Sequence, residues 1–281
     1  MRETQYRLSN VTLNALEVGE PSSLPSVIFL HGWLDNAASF STVLAACAER
    51  APSRHFCALD LAGHGYSTHK GMGYFYPFHD YVDDIYQLIT TFFTQKCLLV
   101  GHSLGALIAA CYSSTFPEHV TGLVQIEGIA PLAESPERAV PRLRDSIISR
   151  EQVRSHVERG YASVDAAVRH RAQVSHVAAP LIQPLVERGL TPRDGRWFWQ
   201  HDRQLQTQSA FRMPPEQAST FIQGIRCPHG LILGSDGYAD LRQSATVLLS
   251  KHCTILTIVG GHHCHLEQPE YVAQTILEYI N

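Results

Sequence analysis

The sharpest constraint on the fold is one short stretch: the apolar run Cys97–Val100, then Gly101-His102-Ser103-Leu104-Gly105, then the apolar run Ala106–Tyr112. An apolar run of four residues bounded by a turn reads as a buried strand, and the longer run after the turn reads as a buried helix. A strand-to-helix turn this tight needs small residues on both sides of its centre. The central serine takes a strained backbone there, and its neighbours crowd the turn. Its hydroxyl is therefore expected at the carboxyl end of a parallel sheet, where open α/β folds keep their ligands. The helix behind it aims its positive end at any developing anion. Residues 97 to 117 lack Asp, Glu, Lys and Arg, 21 positions in all, yet their longest strictly apolar run has seven residues. A spanning helix needs about 20 predominantly apolar residues. The segment thus reads as buried strand and helix, and no membrane partner is expected.

The alternation of short apolar runs with helical patterns continues on both sides, the signature of a mostly parallel, doubly wound sheet with helices on its two faces. Tyr6–Ser9 and Val11–Val18 are expected to open the chain as an antiparallel pair, followed by strands at Val27–Leu30, Phe56–Leu59, Cys97–Val100 and Val120–Ile126. Helices are expected at Asn36–Arg50, Tyr81–Phe93 and Leu104–Ser114. Between Glu134 and Glu216 the composition changes. This stretch holds thirteen arginines, no lysine and ten acidic residues, while the rest of the chain carries nine basic and sixteen acidic ones. It shows no strand-like run and reads as several short polar helices with mostly solvated charge. Alternation resumes with a strand at Gly230–Leu233, a helix from about Asp240, a strand at Thr254–Val259 and a closing helix at Pro269–Tyr279. The expected organisation is one α/β core, residues 1–132 and 217–281, interrupted by a helical cap at 133–216.

Composition fits such a core and narrows the function. Hydrophobic residues make up 44% of the 281 and charged ones 17%, enough apolar surface to offset the entropy of ordering. A net charge of −4 argues against coating nucleic-acid phosphates, so no nucleic-acid partner is expected. The opening MRETQYRLSN has no apolar stretch behind its arginine, and nothing in it suggests secretion. Seven cysteines, at 47, 57, 97, 111, 227, 253 and 264, form no C-x-x-C and mostly sit inside apolar runs. Buried free thiols in a reducing compartment, by default the cytoplasm, are the expectation.

A serine hydroxyl is a weak nucleophile and needs an adjacent base. Gly260-Gly261-His262-His263-Cys264-His265 follows the last expected strand, which puts His262 in a loop at the same end of the sheet as Ser103. Three clustered histidines also raise a metal site, because His-x-x-His spacing can hold zinc. No carboxylate or thiolate stands at convincing spacing except Cys264, which alternation turns elsewhere. No metal and no cofactor is expected, and His263 and His265 read as supporting or surface groups. An oxyanion formed by attack needs backbone N–H donors. Leu104, directly after the serine, supplies one. The loop His31-Gly32-Trp33-Leu34 supplies the other, with the Trp33 N–H as candidate.

These residues and their order resemble the α/β-hydrolases over nearly the whole chain. The resemblance rests on the His31-Gly32 turn, Asp60-Leu61-Ala62-Gly63-His64-Gly65-Tyr66-Ser67, the turn Gly101–Gly105, and Gly261-His262 followed by His265-Leu266-Glu267-Gln268-Pro269. Within that superfamily, His31-Gly32-Trp33-Leu34-Asp35-Asn36-Ala37 and Arg203-Gln204-Leu205 are similar to the serine hydrolase-like proteins. The resemblance implies an α/β-hydrolase fold in which Ser103 attacks a carbonyl, His262 takes its proton, and a carboxylate orients His262. It implies a small or medium carboxylic ester as substrate, a small molecule hydrolysed through an acyl-enzyme. Alternatives are an amide, a lactone, a carbon–carbon bond beside a carbonyl, acyl transfer, or ligand binding with slow turnover. A serine at this turn argues against dehalogenase or epoxide-hydrolase chemistry, for which the resemblance requires Asp.

The acid has two candidate places. The usual superfamily position, Gly-x-x-Asp after the seventh strand, reads here Gly234-Ser235-Asp236-Gly237-Tyr238-Ala239-Asp240, with Asp236 one residue early and Asp240 three late. The other follows the sixth strand, where Val124-Gln125-Ile126-Glu127-Gly128 ends an apolar run on a glutamate. Some α/β-hydrolases use a carboxylate there, and serine hydrolase-like sequences carry an acid there too. A glutamate closing a buried strand is costly unless paired, which favours Glu127 and leaves Asp236 as the second candidate. Asp60 and His64 read as turn formers. Tyr74-Phe75-Tyr76-Pro77-Phe78 reads as a pocket lining or a layer beneath the cap. Trp197-Phe198-Trp199 reads as a pocket wall or a cap anchor, with Trp197 and Trp199 as the substrate-pocket candidates.

Overall fold

Mostly apolar runs of four to seven residues, with side chains alternating between two faces, build the centre of the sheet. The structure is a computed structural model and describes residues 1–71, 73–249 and 253–280. Its strands are β1 (Arg2–Arg7), β2 (Thr12–Val18), β3 (Val27–Leu30), β4 (Phe56–Leu59), β5 (Cys97–His102), β6 (Val120–Ile126), β7 (Leu190–Arg193), β8 (Arg196–Trp199), β9 (His229–Gly234) and β10 (Cys253–Ile258). The helices are α1 (Ser41–Arg50), α2 (Phe78–Phe92), α3 (Leu104–Thr115), α4 (Ala139–Ser155), α5 (Val164–Ser175), α6 (Ala179–Gly189), α7 (Pro215–Gln223), α8 (Ala239–Leu248), α9 (Cys264–Glu267) and α10 (Pro269–Glu278).

Eight strands form one sheet in the order β1-β2-β4-β3-β5-β6-β9-β10. From β4 to β10 every pairing is parallel, while β1–β2 and β2–β4 are antiparallel. Alternation assigns the faces. Val27 and Phe29 of β3 pack with Val43 and Leu44 of α1 and with Val272 and Ile276 of α10. Ile28 and Leu30 point the other way, onto Ile85 and Leu88 of α2 and Ile108 of α3. The chain leaves β3 for β4 on one side and returns to β5 on the other, so the carboxyl ends of β3 and β5 flank a topological switch point, the place where open α/β sheets bind ligands. Asn36 does not start a single helix. Its side chain caps a short 3-10 turn, Ala37–Phe40, which then leads into α1.

The segment between β6 and β9 carries α4 to α7 and, contrary to the strand-free expectation, the antiparallel hairpin β7–β8. Asp194 and Gly195 both have positive φ, 51° and 73°, as a two-residue primed turn requires. The insertion has its own apolar cluster, in which Val168 of α5 meets Ile182, Leu185 and Val186 of α6. In α4 the usual pattern is inverted: Arg142, Ser146 and Ser149 are buried, while Val140, Leu143 and Ile147 are exposed. Arg142 is held inside by Glu134, at 2.7 and 2.9 Å. The α7 helix straddles the expected 216/217 junction and buries Ala218 and Ile222. Among the described residues no helix is long and apolar enough to cross a membrane.

Candidate active site

Strain collects where three central strands end. Leu34, Ser103 and Glu127, none of them glycine, have φ of 60°, 50° and 50°, a conformation costing about 1–3 kcal/mol each and typical of functional sites. They follow β3, β5 and β6 respectively. At Ser103 the strained turn is fixed by its own N–H, which donates to the Ile126 carbonyl at 2.9 Å. The Gly105 N–H donates to the His31 carbonyl at 3.1 Å, which ties the loop carrying Trp33 to the turn carrying Leu104. A Cβ on Gly105 would lie 2.0 Å from the Leu30 carbonyl oxygen, so only glycine lets α3 start this close to β3. Ser103 and Leu104 remain half-buried and reachable. The Trp33 and Leu104 N–H groups have no hydrogen-bond acceptor among the described residues. The Trp33 indole is half-exposed and donates through Nε1 to the Leu205 carbonyl of the insertion, at 2.9 Å.

His262 lies against the same turn. Its ring centroid is 4.8 Å from that of His102, and its carbonyl accepts from His102 Nε2 at 2.8 Å. Ser103 Oγ makes no hydrogen bond to the imidazole among the described residues; such contacts are commonly long before substrate binds. On its far side, His262 Nδ1 is 3.2 Å from Glu127 Oε2. The Glu127 carboxylate is buried, and it also accepts from the Gly234 N–H at 2.8 Å and the Tyr238 N–H at 3.4 Å. The loop after β9 wraps the carboxylate so closely that a Cβ on Gly237 would fall 2.3 Å from its Oε1. Tyr238 then sets its ring against the imidazole, with centroids 4.6 Å apart and planes tilted by 50°. Of the two candidate acids, the chain brings Glu127 to His262. Asp236 is exposed, and its carboxylate takes a hydrogen bond from its neighbour Ser235. Asp240 is exposed in the first turn of α8.

The other histidines form a buried layer beneath the site. His265 is fully buried with Nε2 2.8 Å from Ser39 Oγ, and burial pushes its pKa down to about 3. Burial, then the nearby His265, His263 and His262, hold His102 well below the usual imidazole range. His263 is 3.5 Å from Asp35 Oδ2, and Cys264 is a buried thiol pushed up to about 12 by burial. Among the described residues no group of three or more His, Cys, Asp or Glu is arranged to hold a metal ion.

Two ion pairs that seat the insertion escaped the sequence reading. Arg171 of α5 donates to Asp35 at 2.5 Å, and Arg188 of α6 donates to Asp60 at 2.7 Å, to Asn14 at 3.0 Å and to Glu3. Asp60 also accepts from the Ala37 and Tyr66 N–H groups, as a turn former does. The arginine surplus was the available signal, but a count does not separate inward from outward side chains.

Trp197 and Trp199 pack against the insertion's own apolar cluster. Trp199 also borders a cleft of about 500 Å³ with His201, Asp202, Arg154 and Arg193; neither Trp197 nor Ser103 lines it. The Tyr74–Phe78 run lies beneath the insertion. Phe75 sits under Arg150, 3.9 Å from its ring centre, and Tyr76 donates to Asp202 at 2.7 Å.

A doubly wound sheet, a strained serine at the switch point and a histidine–carboxylate pair on later loops together define an α/β-hydrolase. The chain belongs to the alpha/beta hydrolase fold family, whose model matches residues 25–208. It is 26% identical over 279 residues to a serine hydrolase-like protein of Danio rerio, covering 94% of this chain and 84% of that one. Over 188 residues it is 30% identical to 2-(acetamidomethylene)succinate hydrolase of Mesorhizobium japonicum, covering 67% of this chain and 62% of that protein. Among solved structures, a hypothetical protein from Pseudomonas aeruginosa matches at 30% identity with a TM-score of 0.89, covering 99% of this chain and 98% of that one.

Proposed function

We propose that this α/β-hydrolase cleaves a small or medium carboxylic ester through an acyl-enzyme. Ser103 Oγ attacks the carbonyl carbon while His262 Nε2 takes the hydroxyl proton. Glu127 accepts from Nδ1–H, which leaves Nε2 as the free lone pair and stabilises the imidazolium once it forms. The Leu104 and Trp33 N–H groups receive the oxyanion. His262 then returns the proton to the departing alcohol oxygen as the carbon–oxygen bond breaks. Water, deprotonated by the same imidazole, attacks the acyl group, and the acid leaves as Ser103 regains its proton. None of these steps requires a cofactor.

The observation that carries this reading is the buried Glu127 carboxylate 3.2 Å from Nδ1 of an imidazole whose loop lies against the strained Ser103 turn. A second reading, amide hydrolysis by the same steps with an amine as leaving group, is favoured by the relative whose name places an acetamido group in its substrate. Seven free cysteines support a reducing, cytoplasmic setting. The half-buried Ser103 supports a small-molecule substrate. The test is a fluorophosphonate probe together with short p-nitrophenyl esters. Wild-type protein is expected to label at Ser103 and to hydrolyse the ester without an added acceptor, and Ser103→Ala to do neither. Labelling elsewhere, or turnover that survives Ser103→Ala, overturns the proposal; turnover only with an added acceptor reassigns it to acyl transfer.

A further inference from the structure

We infer that Asp35 is a positioning residue that couples the seating of the insertion to the alignment of Ser103 and His262, an inference that rests on the hydrolase reading above. The carboxylate is 2% exposed and meets three separate parts of the chain. Oδ1 accepts from Arg171 Nη2 on α5 at 2.5 Å. Oδ2 stands 3.5 Å from His263 Nε2 and 3.8 Å from His102 Nδ1. His263 follows His262 in the chain, and His102 precedes Ser103. The bond from His102 Nε2 to the His262 carbonyl closes the circuit at 2.8 Å. One buried charge therefore touches the chain neighbours of both reacting side chains and a helix of the insertion.

The charges explain how the coupling works. His102 donates through Nε2, so its neutral ring turns a lone pair at Nδ1 toward Asp35 Oδ2. Neither atom has a hydrogen-bond partner among the described residues. Burial and the neighbouring histidines keep His102 from supplying a cation. Burial alone would raise the Asp35 carboxyl. The approach of His263, then the charge of Arg171, outweighs it and holds the group well below the usual carboxylate range. Arginine is always protonated, so Arg171 is the permanent cation of the cluster. A buried charge stripped of its partner is strongly destabilised. If α5 lifts away, Asp35 must draw compensation from His263, and that pull acts on the residue next to the base. With α5 seated, Arg171 compensates the charge through Oδ1, and the His262 loop rests on its bond from His102.

The experiment uses Asp35→Asn, Arg171→Met, the double variant and Arg171→Lys. Sites are counted by fluorophosphonate titration, so that kcat refers to each reactive Ser103. Arg171→Met is expected to lower kcat per site about tenfold or more with KM nearly unchanged. The double variant should regain at least about threefold over Arg171→Met, because the orphaned charge is gone. Arg171→Lys, which keeps the charge, should recover most of the loss. If Arg171→Met does not fold, Asp35→Asn, which keeps the shape, carries the same test through a roughly tenfold loss of kcat per site. Per-site kcat within about twofold of wild type in both single variants, or strictly additive losses, overturns the coupling. Loss confined to thermal stability or to the fraction of labelled sites makes Asp35 purely structural and overturns it equally. Wild-type protein that the probe fails to label at Ser103 overturns the hydrolase reading and this inference with it, a result distinct from labelled wild type with unaffected variants.

Discussion

Glu127→Gln separates the two candidate acids through the number of lone pairs each residue offers. The glutamate accepts from three N–H groups, on His262, Gly234 and Tyr238. Glutamine keeps the shape but has a single acceptor oxygen, so its NH₂ must face either His262 Nδ1 or the Gly234 N–H. Facing Nδ1, the amide becomes a donor and favours the imidazole tautomer with its proton on Nε2, which cannot act as base. Facing Gly234, it sets donor against donor inside a buried strand end. The charge is lost as well. At 3.2 Å and an effective dielectric constant of about 20, a carboxylate stabilises an imidazolium by about 5 kcal/mol. The two amide bonds to the carboxylate and the 20% exposure of the His262 side chain reduce that, to about half at the lower end. The expected fall in kcat is therefore about 10²–10⁴-fold. Asp236→Asn, at an exposed carboxylate bonded to Ser235, should stay within about twofold of wild type. Both are read as p-nitrophenyl ester turnover per titrated site, with circular dichroism confirming the fold. Glu127→Gln retaining more than about a tenth of wild-type kcat, or Asp236→Asn losing more than tenfold, would refute the reasoning.

Other perturbations test other parts of the account. Gly237→Ala puts a methyl 2.3 Å from Glu127 Oε1 in a surface loop, so kcat should fall about tenfold or more while the melting temperature barely moves. Gly105→Ala drives a methyl into the Leu30 backbone at 2.0 Å and should cost about 3 kcal/mol or more, seen as loss of folded protein on expression. Arg188→Met strands the buried Asp60 carboxylate; a loss of about 3–5 kcal/mol, or a melting point lower by about 10 °C, is expected by calorimetry. Burial alone would raise Glu17, but His55, 3.4 Å away, and hydrogen bonds from Tyr6 and Thr4 outweigh it and lower its pKa to about 2. A depressed carboxylate stabilises the fold above its unfolded value of 4.5, and that contribution, about 3 kcal/mol, disappears as pH falls from about 4.5 to 2. Urea titrations at pH 5 and pH 3 should show this loss in wild type and a smaller one in Glu17→Gln.

Where side-chain periodicity carries the information, the fold was legible. β3, β4 and β6 fall on the expected residues because each is an uninterrupted apolar run bounded by turn formers. The Ser103 turn was legible for a related reason, since glycines on both sides of a serine between two apolar runs leave few backbone paths. The hairpin β7–β8 was missed because Leu190–Arg193 and Arg196–Trp199 hold too few alternating apolar residues to stand out, although Asp194-Gly195 beside an aromatic triplet is a recognised turn signal. The acid was only partly legible. Glu127 and Asp236 follow adjacent strands, β6 and β9, that both end at this edge, and the choice depends on which carboxylate the strained backbone aims inward, a property of φ at one residue.

The arginines of the insertion show a deeper limit of composition. Thirteen arginines in a segment of polar helices predict solvated charge, yet Arg171 and Arg188 cross into the core and end on two buried carboxylates, Asp35 and Asp60. Such pairs contribute little net stability, because the attraction is largely offset by desolvation, but losing one partner is severe. They therefore penalise misplacement far more than they reward burial, which suits contacts whose role is to fix a position. Both pairs anchor helices α5 and α6, which already share an apolar cluster and could otherwise slide on the greasy underside of the insertion. Apolar packing holds the insertion together and, through Leu266, Leu205 and Ile222, to the core, and the two ion pairs fix its placement over the ends of β3 and β4. The Trp33 indole, bonded to Leu205 beside the expected oxyanion amide, depends on that placement. A shift of the insertion would consequently reach the chemistry through two routes at once, the Asp35 cluster beside His262 and the Trp33 loop tied to the Ser103 turn.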